Sequence, residues 1–142
     1  MFINPNPQIQ TIVEQLYFGY ILNENSTSHA KHLAFISIDD AIMTCIGSYI
    51  ATKNKDKVSH NFDIWLDTIE KDNKITVYEK DNIKKYHNAR ANILNQHETL
   101  MMEMNKKYII LLKILLAYLF GYRLSKSDWE KRIKEYKQKL NL

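Results

Sequence analysis

The chain of 142 residues has one cysteine, two prolines and three glycines. A single thiol, Cys45, excludes an internal disulfide and any cysteine-based zinc cluster. Both prolines fall within the first seven residues, and the glycines stand at 19, 47 and 121. An all-β chain needs turn residues at short, regular intervals, and the body of this one lacks that punctuation. Arginine is scarce too, occurring only at 90, 123 and 132. The opening MFINPNPQIQ has neither the basic start nor the apolar run of a secretory signal, so the expected location is the cytoplasm, a reducing compartment. A Gly-rich phosphate loop, GxSxG, HExxH and paired CxxC motifs are absent, as are repeats and low-complexity tracts.

What remains is a chain 45% hydrophobic, with a net charge of +4 and a pI near 9.0. That balance is compatible with nucleic acid but does not by itself imply it. The length suits one domain over residues 1–142, and the patterning predicts an all-α bundle of about five to six helices.

In order, Pro7 sits in the first turn of a helix with Ile9, Ile12, Val13, Leu16 and Tyr20 as its stripe. A second helix runs from His29 or Ala30 to Lys53, with Asp39 and Asp40 beside its apolar face. Asp pairs in such positions are commonly solvated, yet either one is placed to reach a cation elsewhere in the fold. Cys45 reads as a small core residue, and Gly47 as a point of close helix approach. After the charged connector KNKDKVSH, a third helix over about 60–71 turns Phe62, Trp65, Leu66 and Ile69 inward. Asp63, Asp67 and Glu70 line its other side, either as a solvent face or as oxygen ligands for Mg²⁺.

The central segment is residues 75–97, ITVYEKDNIKKYHNARANILNQH. Thr76 followed by Glu79 is a capping box. At about 100° per residue, Ile83, Tyr86, Ile93 and Leu94 share a face with His87, Arg90 and His97. An unbroken helix would bring His97 back to the angle of Arg90, about 10 Å along the axis. A guanidinium on an apolar seam needs a polar cleft, a carboxylate partner or a break in the helix.

Residues 108–120, YIILLKILLAYLF, are too few to span a bilayer, which takes ~20, and Lys113 interrupts them. They read as a core helix buried nearly all round and ended by Gly121, with spare apolar surface for a dimer; no stable membrane insertion is expected. Thr99 is the expected cap for that last stretch. A final basic helix from Ser125 or Ser127 carries the stripe Trp129, Ile133, Tyr136 and Leu140.

The stretch DNIKKYHNARANILNQHETL resembles the signature of the HEPN superfamily, all-α domains with an Arg, usually followed by Asn, and then a His after four to six intervening residues. Arg90 and His97 have six residues between them; the residue after Arg90 is Ala91, and the Asn comes one later, at Asn92. The resemblance implies a metal-independent ribonuclease without cofactors, often a toxin or defence component held by an antitoxin or larger complex. It implies a homodimer whose two Arg–His motifs share one groove on an RNA or nucleotide. Arg90 would clamp phosphate and His97 would act as acid and base, with His87, Asn92, Asn95 and Asp40 supporting. The alternatives are an inactive helical dimerisation or binding module, which Ala91 favours, and a Mg²⁺-dependent nucleotide-processing protein built on the carboxylates.

Overall fold

The computed structural model describes residues 7–25, 27–53 and 61–140. It is an all-α bundle of six helices, with no strand among the described residues: α1 (Pro7–Glu24), α2 (Ser28–Lys53), α3 (Phe62–Lys71), α4 (Val77–Ala89), α5 (Glu98–Phe120) and α6 (Lys126–Lys139). A short 3-10 segment, Arg90–Asn95, joins α4 to α5. Lys55 and Lys57 of the charged connector lie outside the described residues.

The α1–α2 hairpin packs closely because Gly19 removes a side chain at the crossing. A Cβ there would lie 2.6 Å from Ile38 Cγ1 and 3.3 Å from the Ala34 carbonyl oxygen. Ser37 Oγ donates to the Gln15 carbonyl at 3.0 Å along the same seam. Helix α2 is the middle of the bundle, with twelve residues buried. By length and apolarity it is the one described helix fit to cross a bilayer, but most of its apolar surface is taken by neighbouring helices.

Helix α5 lies against α1 and α2. Phe35 stacks on Tyr108 with ring centroids 5.6 Å apart. One turn earlier, buried Asn105 donates to Asn23 Oδ1 at 2.9 Å and to the Lys31 carbonyl at 3.0 Å, tying three helices together. Helix α6 closes over α1, where Trp129 packs on Tyr17 and Tyr20 and carries Lys113 Nζ 3.9 Å above its ring. Partial burial lowers the pKa of Lys113, and the ring face is its compensating partner.

Helix boundaries follow local chemistry. Asn61 caps α3, accepting from the amides of Asp63 and Ile64. Thr76 and Glu79 form the reciprocal capping box of α4. Gly121 ends α5 in the left-handed region at φ 65°, and Ser125 caps α6. Gly47 faces α3, where a Cβ would lie 3.1 Å from the Trp65 ring. Cys45 is fully buried, and burial pushes its thiol up to about 12.

Three expectations need correction. Helix α5 is not buried all round, since Ile110 and Tyr118 are 56% and 49% exposed. Its cap is His97 rather than Thr99. Asp39 is not solvated, because α5 covers it; only Asp40 faces partly outward.

Two outcomes test this packing. Gly19→Val should lower stability by about 2–3 kcal/mol in urea unfolding, because the added methyls meet Ile38 and valine is a poor helix former. Asp72 ties the α3–α4 turn to α2, accepting from Lys53 Nζ at 3.0 Å and Tyr49 OH at 3.2 Å. Lys53 holds its carboxyl below the ordinary 3.8. Its contribution is therefore present above the unfolded value and lost as pH falls through the lower folded one. Asp72→Asn should flatten the acid side of the stability–pH curve while leaving its shape near neutrality.

Candidate functional site: a buried carboxylate holding histidine and arginine

The central segment does not continue as one α-helix. Helix α4 stops at Ala89, the chain tightens into the 3-10 turn, Asn92 leaves helical geometry at φ −119° and ψ 23°, and Gln96 is extended. Asparagine side chains compete with the helix ladder, and Asn92 and Asn95 fall where it fails. The 3-10 turn still buries Ile93, which anchors it to the core. The seven-residue step from Arg90 therefore does not return His97 to the same face. His97 instead caps α5, its Nδ1 accepting from the Thr99 amide at 3.2 Å, and its side chain is exposed. Asn92 and Asn95 are exposed as well.

What the fold does bring together centres on Asp39, whose side chain is completely buried. Its Oδ1 accepts from Tyr108 OH at 2.5 Å. His87 Nδ1 lies 3.0 Å from Oδ1 and 3.1 Å from Oδ2. Arg90 Nη1 donates to Oδ2 at 2.9 Å and also to Asp40 Oδ1 at 2.6 Å. Four elements thus meet on one carboxylate: α2 supplies it, and α4, the 3-10 turn and α5 supply its donors. A buried carboxylate needs such donors, because an unpaired one costs several kcal/mol.

The geometry sets the state of each partner. A carboxylate only accepts, so His87 carries its proton on Nδ1 and turns Nε2 to the other side. The His87 side chain is 25% exposed, and the Phe62 ring packs on it with centroids 4.5 Å apart. Asp40, then Asp39, raise the pKa of Arg90 and keep it charged. Its side chain is 37% exposed and makes both pairs through Nη1 alone. Burial, then the Asp39 charge, push Tyr108 well above the usual phenol range, so its hydroxyl stays a donor. The result is a histidine of fixed tautomer beside a fixed arginine, both edged by solvent.

Of the residues singled out in the sequence, His87, Arg90 and Asp40 join this cluster. His97, Asn92 and Asn95 do not take part in it. Tyr108 and Phe62 were not singled out as site residues. Tyr108 opens the apolar run of α5, and its hydroxyl is the one hint that this run meets a polar group; for Phe62 the sequence holds no signal beyond its apolar position.

The three-carboxylate stripe of α3 is occupied by lysines of α4. Lys80 Nζ lies 2.5 Å from Glu70 and 3.3 Å from Asp67, and Lys84 Nζ lies 3.8 Å from Asp63. These pairs account for the stripe as a helix-to-helix contact. No family model, curated protein or solved structure matches the chain. The likeness to the HEPN signature therefore rests on the motif residues themselves.

The two acids should respond differently to removal. Asp39→Ala leaves Tyr108 and His87 without their acceptor and Arg90 with Asp40 alone, and should cost about 3–5 kcal/mol in urea unfolding. Asp40→Ala removes a half-exposed carboxylate and should cost less than about 1 kcal/mol.

Proposed function

We propose that this protein binds RNA and cleaves it without a metal ion, using Arg90 and His87 as the pair that Asp39 holds. The observation that carries this reading is the shared carboxylate. It fixes a phosphate-binding fork and an acid–base group side by side and leaves an edge of each towards solvent. Cleavage through a 2′-hydroxyl needs proton removal there, charge stabilisation on the pentacoordinate phosphate and protonation of the departing 5′-oxygen. Arg90 meets the phosphate charge through the donors that its carboxylates do not use. His87 Nε2 is the acid–base atom, with Asp39 stabilising the imidazolium that forms. His97, exposed at the start of α5, is the chain's candidate for a second proton carrier. The likeness to HEPN toxin and defence domains supports Arg90 as the phosphate clamp and implies a homodimer and a silencing partner, but it gives the acid–base role to His97, where this reading gives it to His87.

A second reading is favoured by one observation: Asp39 and Asp40 together offset the charge of Arg90. A fork with two acids already on it binds phosphate more weakly than a bare one. Together with Ala91 in place of the usual Asn, this suits a helical binding module without cleavage.

Purified protein should cut a structured RNA in excess EDTA. Arg90→Ala and His87→Ala should each slow cutting by about 100-fold or more while circular dichroism remains unchanged. If His97→Ala falls as far, the two histidines act as partners; if it keeps full rate, His87 acts alone. No cutting by folded wild type, with RNA still retained in a filter-binding assay, would transfer the case to the binding module. Neither cutting nor binding would remove the RNA reading altogether.

A further inference from the structure

Helix α5 shows a face that no other described helix covers. Lys107, Ile110, Ile114 and Tyr118 recur at three- and four-residue steps and so lie on one side of it. Together with Val77 and Tyr78 at the start of α4 they line an open groove of about 910 Å³. Val77, Tyr78, Ile110 and Tyr118 are 56%, 77%, 56% and 49% exposed. Four large apolar side chains exposed next to one another are more than a monomer usually leaves in water.

The arrangement along α5 is symmetric about position 112. Ile110 and Ile114 stand two residues to either side of it, and Lys107 and Tyr118 stand five and six residues away. An antiparallel copy of α5 laid across a two-fold axis at that level sets Ile110 against Ile114 twice. It also sets the Lys107 ammonium over the Tyr118 ring twice. Lys107 has no ion pair among the described residues, and the acids of the groove are engaged already: Glu70 with Lys80, and Glu79 with the Thr76 amide. A ring face is its natural complement, and this chain uses that pairing internally, with Lys113 on Trp129 and Lys53 on Tyr49.

We propose that this α4–α5 face is a two-fold interface with a second copy of this chain, centred on residue 112 of α5. An isologous contact requires a self-complementary patch, and this one is self-complementary in shape class and in charge. The four exposed apolar side chains supply roughly 500 Å², and Ile114 with the Lys107 stem adds to this, which puts the face on the scale of the smaller specific interfaces, below the ~800 Å² per partner of a standard one. At 1.5 Å per residue, the antiparallel crossing places the two α5 N-termini roughly 40 Å apart. Each Asp39–His87–Arg90 cluster meets α5 through Tyr108, which is buried on a different side of that helix from the exposed Ile110 and Tyr118, so the proposed contact does not run through the cluster. The inference does not rest on the RNA reading.

Light scattering on the full chain at about 50 μM should give twice the 16.9 kDa chain mass. Ile110→Asp with Ile114→Asp should be monomeric, as should Ile110→Lys with Ile114→Lys, each with unchanged helicity by circular dichroism. Mixed one to one, the acidic and basic variants should pair again, because each Ile110 position faces an Ile114 position. Tyr118→Ala should weaken self-association about 10-fold. A monomeric wild type, a dimer that survives both double variants, or a mixture that stays monomeric would overturn the proposal. So would a dimer broken by Leu100→Asp alone, which would place the contact at the other end of α5.

Discussion

The carboxylate of Asp39 is the group on which the interior arrangement depends. It sits in the most central helix with no exposed surface. Burying that charge is tolerable only because a phenol, an imidazole and a guanidinium arrive from three other elements. Those donors fix the register of α4 against α2 and the rotation of α5 about its own axis. The apolar core fills the remaining space, with Phe35, Ile38 and Ile42 on α2 and Tyr108, Leu112 and Leu115 on α5. Apolar contacts of that kind tolerate small slides; a carboxylate with three donors does not.

The same constraint explains why the chain between α4 and α5 is irregular. If α4 continued as an α-helix past Ala89, Arg90 would still point along the seam, but the chain would overrun the start of α5. The 3-10 turn, with Asn92 out of helical geometry and Gln96 extended, ends the α4 axis, keeps Ile93 in the core and lets α5 return antiparallel so that Tyr108 comes level with Tyr86. The site and the connection are thus one solution to one packing problem. Chemistry follows from it, because a histidine whose Nδ1 is occupied by a buried acid has its other nitrogen free, and an arginine bound through one nitrogen has donors left over.

Charge elsewhere is arranged to hold helices together. The acidic side of α3 meets the lysines of α4, and Asp72 meets Lys53, so these acids work as inter-helix contacts. Lysines also sit over aromatic rings, Lys113 on Trp129, Lys53 on Tyr49 and Lys139 on Tyr136. Several large apolar side chains stay exposed on the described surface, and four of them, Val77, Tyr78, Ile110 and Tyr118, line one groove on the outer side of α5.

The amino-acid sequence by itself determined the helical class, most helix ends and the inward stripes. These depend on local matters: Thr76 and Glu79 three apart, Gly121 after an apolar run, and residues recurring every three or four positions. It also marked Arg90 as needing a polar cleft, a carboxylate partner or a break in the helix, with Asp39 or Asp40 as acids that could reach it, since an arginine on an apolar seam is costly alone. Only the tertiary structure decided which acid is buried, that Tyr108 and Phe62 reach His87 and its partner, and that His97 leaves the cluster to cap a helix. The reason is physical. Burial of Asp39 depends on a helix some seventy residues away, and the direction of His97 depends on the six-residue 3-10 turn that precedes it. Neither dependence is visible in the spacing of residues along one segment.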